Sequence, residues 1–248
     1  MILIFHAFAG EIGALKRRMK GRAIGRVDDL KTIRGRLGTT EVIAVSTGIG
    51  MQRATSAARR AMDSLGSPAL VISAGVAGAL RQELRTGDLV LADRVLAAGT
   101  AASIAPTAIA ISGHDLRRFE DALRNNRLKF TTGSILTVPR VLKDAGSKRS
   151  AGAATGASAV DMESAAIAAE AVRRGLRFAC VRSILDAADE ELAIPDLVDG
   201  TIAPLAAASF ILRRPINLLR LARMLQALRR AAVPLADALV ALTRDAGP

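Results

Sequence analysis

The sequence predicts an α/β fold: one mainly parallel or mixed sheet with covering helices. Two observations carry that expectation. Short apolar, β-rich runs punctuated by glycine alternate along the chain with longer Ala-rich and Leu-rich stretches of helical period. In addition, 248 residues that are 50% hydrophobic, with no internal repeat and no low-complexity linker, suffice for one full core. A single domain spanning 1–248 is expected, with 193–248 as an apolar and basic helical region of that domain.

Taken in order, the apolar runs place strands at Ile2–His6, Thr40–Ser46, Ala69–Ser73, Asp88–Leu96, Thr131–Leu136 and Phe178–Leu185. Met1 to Phe5 opens the chain as a strand and not as a secretory leader, because no basic segment precedes the apolar residues. Helical periodicity places helices at Met51–Leu65, Asp161–Arg174 and Pro215–Ala231. Ser147 to Ala159 is small and polar, and reads as a mobile loop leading into a helix. The uncharged run Val95 to Gly113 has the length of a membrane span, but Gly99, Thr100, Ser103, Pro106, Thr107 and Ser112 interrupt it. In the last stretch Leu218, Leu221, Leu225 and Leu228 share one helical face, and Arg220, Arg223 and Arg230 share the opposite one. That pattern suits a terminal helix packed on the sheet with a solvated basic face, or a helix lying at a membrane surface.

The formal charge of +12 raises the question of nucleic acid. With six Phe, no Tyr and no Trp, the chain has no stacking platform for single strands, and no helix-turn-helix or zinc-finger spacing occurs, so no nucleic-acid partner is expected. An anionic membrane surface, or a lipid-like substrate held near one, accounts for the charge equally well. The single Cys180 forms no internal disulfide and no metal cluster, which suits a reducing cytoplasm and a site without metal or cofactor.

Three acidic residues stand at strand ends or helix starts, where open α/β sheets place their ligands. Asp186 closes the run Phe178–Leu185 and is placed to protonate a leaving group as a sugar acquires oxocarbenium character. It is equally placed to cap a helix, since Ala187-Ala188-Asp189-Glu190 follows in acidic first-turn style. Glu163, in Val160-Asp161-Met162-Glu163-Ser164-Ala165-Ala166, suits a ligand for a cis-diol with Met162 packed under the sugar, or a first-turn partner of the helix dipole. Glu11 follows the first strand and admits the same dipole reading. The glycine-bearing turns around Ile49 (Ser46 to Gly50) and around Gly75 and Val76 (Ala74 to Gly78) allow close backbone approach to a ligand. Only His6 and His114 are present, and no Gly-x-Ser-x-Gly, His-Glu-x-x-His or Walker pattern occurs, so hydrolase triads, zinc sites and triphosphatases lack support.

The order of these segments over residues 1 to 192 resembles the nucleoside phosphorylase and nucleosidase superfamily, in particular the methylthioadenosine/S-adenosylhomocysteine nucleosidases. VDMESAA (160–166) is similar to that family's Glu-Met-Glu stretch, and RSILDAAD (182–189) to its strand ending in the acid that protonates purine N7. The resemblance implies a three-layer α/β/α sandwich around a mixed, partly closed sheet, assembled as a homodimer or larger. It implies Asp186 as general acid, Glu163 as ribose-hydroxyl ligand, Met162 as sugar-packing residue and Glu11 as the base that orients water, with no cofactor.

Two departures refine the expectation. Where phosphorylases of the superfamily hold phosphate with an Arg before the Gly and a Ser or Thr after it, this chain has Ser73 and Val76, which favours water over phosphate as nucleophile. Near TGSILTV (132–138), where the nucleosidases stack an aromatic residue on adenine, Leu136 is the expected substrate-contacting residue. An Asp at 186 suits an amino-purine, so adenine is the expected leaving base. The Leu- and Arg-rich C-terminal region resembles the hopanoid-associated phosphorylase branch, which implies an adenosyl-bearing lipid as a substrate. Ile194 to Leu212 is apolar enough to admit its tail, with peripheral contact at the inner membrane surface. A phosphate-dependent phosphorylase and a non-catalytic nucleoside- or lipid-binding subunit are the alternative readings.

Overall fold

The computed structural model of the protein describes residues 1–98, 107–192 and 216–245; the segment Ile194 to Leu212 and part of Val95 to Gly113 lie outside them. Ten strands form one mixed sheet: β1 (Ile2–His6), β2 (Lys20–Val27), β3 (Leu30–Leu37), β4 (Thr40–Ser46), β5 (Leu70–Ala79), β6 (Leu89–Ala97), β7 (Thr107–Ala110), β8 (Phe130–Thr137), β9 (Ala159–Asp161) and β10 (Phe178–Asp186). The helices are α1 (Gly13–Arg18), α2 (Met51–Leu65), α3 (Gly113–Asn125), α4 (Ala145–Thr155), α5 (Ser164–Arg173) and α6 (Ile216–Asp245).

β5 organises the sheet. Its first half lies between β1 and β10, both parallel to it, and its last residues Gly78 and Ala79 pair with β9. From β10 the ladder continues through β6, β8 and β9 and returns to β5, which closes five strands into a ring. The open part runs the other way, through β1, β4, β3 and β2. This is the partly closed mixed sheet expected above. The central strands are continuous apolar runs because helices cover both faces; every residue of β1 is buried.

Two groups of helices cover the sheet: α2 packs with α5, while α6 packs with α1 and α3 and lies on β10 and β5. α2 presents Ala54, Ala57, Ala58, Ala61 and Met62 to the core at helical spacing, and these small side chains let it approach the strands closely. α6 has two characters. Its C-terminal part buries Ala232, Leu235, Ala236, Ala238, Leu239, Ala241 and Leu242, whereas Leu218, Leu219 and Leu225 are exposed. Pro234, which has no N–H to give the helix, lies just inside the buried part.

Several elements differ from the sequence reading. Ser147 to Ala159 is not a loop: Ala145–Thr155 is helix α4, started by the Asp144 carboxylate accepting from Ser147 N at 2.8 Å and stopped by Gly156 at a left-handed φ of 66°. β9 occupies the start of the expected Asp161–Arg174 helix, so α5 begins at Ser164. β5 runs six residues past the expected Ser73 to Ala79. α6 extends beyond the expected Ala231 to Asp245. β2 and β3, unpredicted, form a hairpin whose two turn residues, Asp28 and Asp29, take φ of 45° and 61° as a type I′ turn requires.

Candidate active site

The loops at one end of β1, β4, β5 and β10, together with the loop after β8, the start of α5 and the first half of α6, surround a cavity of about 680 Å³. Its walls are mostly apolar, and four buried acidic residues line it: Asp161, whose carboxylate is committed to Arg182, and Glu11, Glu163 and Asp186.

Glu11 is not a dipole partner for α1. Its Oε2 accepts from Ala7 N (2.7 Å) and Phe8 N (3.2 Å) on its own loop, and its Oε1 accepts from Val76 N (2.9 Å) on β5. Burial drives the Glu11 carboxyl above its ordinary pKa, against the pull of Arg182 and these three N–H groups. Gly75 lies beneath this carboxylate: a Cβ there would come to 3.0 Å from Glu11 Cδ and closer still to Oε1. Its role is to leave room.

Glu163 stands at the N-cap position of α5 but makes no side-chain bond to that helix. Its Oε1 reaches across the site to Gly50 N (2.6 Å), the residue that opens α2. Burial, reinforced by the neighbouring Asp161 charge, lifts its pKa to about 8. Asp161 borders the same cavity, but its carboxylate is held in a buried pair with Arg182: Nε to Oδ2 is 2.8 Å and Nη2 to Oδ2 is 2.7 Å. The same guanidinium donates to Ser73 Oγ (2.8 Å) and Ser164 Oγ (2.7 Å). Sequence reading passed over Arg182, whose guanidinium is committed to these partners.

Asp186 reaches the cavity through an irregularity in β10. Ile184 pairs with Ala77 and Asp186 with Gly78, so one extra residue, Leu185, bulges between them. In a regular strand Asp186 would share a face with Arg182 and Ile184, both buried in the interior. The bulge turns it to the cavity side instead. Residues 187–192, directly after Asp186, are not helical, and its carboxyl forms an ion pair with Lys148 of α4. Burial raises the Asp186 pKa, while Lys148 pulls it down and Glu190 adds to the rise.

The structure thus brings Asp186, Glu11, Glu163, Met162, Val76 and Ile49 onto one cavity, with Gly75 directly behind Glu11. Leu136 is not among them. It is 3% exposed and packs with Leu80, Leu96 and Val160 in a small core separate from the main one. The cavity wall nearby comes instead from Val138, Val141 and Leu142 in the loop that follows β8. Phe8, Met224, Leu225 and Leu228 were also missed, and here the apolar face of α6 was the available signal. His6 is buried at the end of β1, its Nδ1 against Phe8 O at 3.1 Å, with burial lowering its pKa to about 4.

Comparison with known proteins bears on the family and the fold. Residues 1–228 match the Phosphorylase superfamily. The 5′-methylthioadenosine/S-adenosylhomocysteine nucleosidase of Geobacillus kaustophilus is 31% identical over 205 residues, which cover 77% of this chain and 86% of the relative. Its counterpart from Exiguobacterium sp. is 27% identical over 76% of this chain and 85% of the relative. Among solved structures, the 5′-methylthioadenosine/S-adenosylhomocysteine nucleosidase of Neisseria meningitidis in complex with methylthio-immucillin-A superposes with a TM-score of 0.75 at 20% identity, covering 97% of both chains. The futalosine hydrolase of Helicobacter pylori has a TM-score of 0.74 at 20% identity, covering 98% of this chain and 97% of that one. Matched along nearly its whole length, the chain belongs to the phosphorylase superfamily, among its nucleosidases, which are N-glycosidases.

Proposed function

We propose that the protein hydrolyses the N-glycosidic bond of a purine nucleoside and releases adenine. The observation that carries this reading is the convergence of three buried carboxyl groups, one from each of three separate segments, on a single apolar-walled cavity. As the C1′–N9 bond breaks, Asp186 donates a proton to N7 of the departing base, which spares the purine from leaving as an anion. Glu163 accepts hydrogen bonds from the ribose hydroxyls while Met162 packs under the ring. Glu11, held by three backbone N–H groups, orients a water and takes its proton as the water attacks C1′. Burial keeps Asp186 a better proton holder and Glu11 a stronger base than either is in water.

Water is the proposed nucleophile. The guanidinium of Arg182 is bound by Asp161, Ser73 and Ser164, so it is not free to pair with a phosphate dianion. The finer proposal is an adenosyl-bearing lipid of the hopanoid type as substrate. Phe8, Leu142, Met224 and Leu228 give the cavity an apolar wall, which suits a substrate with an apolar tail. Exposed Leu218, Leu219 and Leu225 on the same helix as Arg220 and Arg223 suit a peripheral contact with an anionic membrane on the cytoplasmic side. We assign the working form as a homo-oligomer, to be checked by light scattering.

One assay tests these points together. Adenosine, inosine, methylthioadenosine and a detergent-solubilised adenosyl-lipid are offered with and without phosphate, and the freed bases are separated by chromatography. Strict dependence on phosphate overturns the water mechanism. An adenosyl-lipid left intact while methylthioadenosine is cleaved overturns the lipid assignment. Unchanged base release by Asp186→Asn removes that residue from the chemistry.

A further inference from the structure

Lys148 is fully buried, in a helix that composition disguises as a loop. Its ammonium pairs with Asp186 Oδ2 and donates to Ala187 O at 2.9 Å and Glu190 O at 2.8 Å. Three acceptors take up all three N–H bonds of an ammonium, whereas a neutral amine has only two to give. Asp186, Ala187 and Glu190 thus account for every N–H bond the Lys148 ammonium has.

What this charge touches gives it a role. Asp186 has two oxygens: Oδ2 is taken by Lys148, and Oδ1 has no protein partner among the described residues, although the carboxyl lines the cavity. The two carbonyls that also hold Lys148 belong to the turn directly after Asp186, so one ammonium ties the acid, its following turn and α4 together. We propose that Lys148 is a positioning residue for the general acid: it anchors Oδ2 so that Oδ1 faces the purine, and it stabilises the carboxylate left when the proton departs. This rests on the hydrolytic reading above. The proton moves from Asp186 Oδ1 to N7, the C1′–N9 electron pair goes to the base, and the negative charge left on Asp186 is met by an ammonium already in contact.

Other charges near Asp186 do not substitute for it. Glu190, in the segment after β10, acts on Asp186 in the opposite sense to Lys148. Arg220, Arg223 and Arg230 of α6 line a smaller adjoining cavity that Asp186 also borders, but among the described residues the ion pair of Asp186 is with Lys148 and not with these arginines. Glu11 and Glu163 lie across the main cavity and are acidic.

The test uses Lys148→Met and Lys148→Gln in the full chain, the second retaining two N–H donors for the carbonyls without the charge. Two substrates are compared: methylthioadenosine, whose adenine needs protonation, and 4-nitrophenyl riboside, whose leaving group departs as an anion without it. We expect kcat for methylthioadenosine to fall by about 10- to 100-fold, the range of one hydrogen bond to a charged group, with KM little changed. Activity on 4-nitrophenyl riboside is retained. Because the ammonium lowers the Asp186 pKa, its loss moves the alkaline limb of the kcat profile to higher pH. In an Asp186→Asn background the same substitutions cost nothing further.

Equal losses on both substrates, an unmoved pH limb, or additivity with Asp186→Asn would show that Lys148 is only scaffold, as would failure of both variants to fold. If the unaltered protein cleaves neither substrate, the hydrolytic reading itself has failed, which is a separate result.

Discussion

Gly75 gives the most direct test of how Glu11 is placed. Replacing it with alanine adds one methyl group and removes no polar atom, and the backbone there has no positive φ, so the strand accepts the change. The new Cβ would stand 3.0 Å from Glu11 Cδ and nearer to Oε1, where carbon contacts normally need about 3.5 Å or more. Backbone at Gly75 is held by its pairing with Arg182 of β10, so the carboxylate has to yield, by about an ångström. Movement of that size breaks the bond from Val76 N, worth about 1.5–3 kcal/mol for a charged acceptor. It also misplaces the base against its water, for which about 100-fold in kcat is a reasonable measure. Steady-state adenine release from methylthioadenosine should show kcat falling by about that factor with KM nearly constant, and a thermal melt should drop by a few degrees. A kcat close to that of the unaltered protein would refute the assignment of Glu11 as the group that sets the attacking water.

The remaining predictions concern the buried charges. Asp161→Asn leaves Arg182 an uncompensated cation in the interior, and urea unfolding should show a loss of about 3–5 kcal/mol; an unchanged midpoint would mean that the serines satisfy the guanidinium alone. Glu163 has its pKa raised from 4.5 to about 8, so its folded form holds a proton that the unfolded form releases. Its contribution to stability is complete below about pH 4.5 and disappears as pH rises toward about 8. Melting temperature measured across that window should fall less steeply in Glu163→Gln than in the unaltered protein, and parallel curves would contradict the stated environment. Asp186→Asn should cost about 10²–10⁴ in kcat for adenine release while leaving substrate binding nearly intact, as measured by titration calorimetry.

Much of this was legible in the sequence where apolar runs are unbroken. Ile2–His6, Thr40–Ser46 and Met51–Leu65 have the same limits in sequence and structure, because burial on both faces, or a clean alanine stripe, leaves only one way to bury them. β2 and β3 were invisible for the opposite reason. KGRAIGRV is exposed along almost its whole length, and its turn is Asp-Asp where Asn-Gly would have announced a hairpin. α4 has glycine and serine where a helix usually has leucine, and what it buries is Lys148, so no hydrophobic period marks it. The three carboxyl positions were readable from strand ends and helix starts, but the orientation of Asp186 depends on a bulge and a lysine that local sequence does not reveal. Leu136 shows the converse error: a position counted along β8 fell two residues short of Val138, where the strand has ended and the wall of the cavity begins.

The double duty of β5 fixes a dimension of the chemistry. Val76 N holds Glu11, and Gly78 lies opposite Asp186, so both groups take their bearings from one strand, two residues apart. A strand advances about 3.3 Å per residue, which separates the two backbone stations by about 6–7 Å. That interval changes only in whole residues. Side-chain substitution therefore tunes the strength of either group while the span between the two backbone stations that hold Glu11 and face Asp186 remains set by the pleat, and a single insertion between Val76 and Gly78 would lengthen the reach and turn one group to the far face. Selection for new substrates is free to act on the loops and on the first half of α6, which line the cavity but take no part in the ladder of the strand.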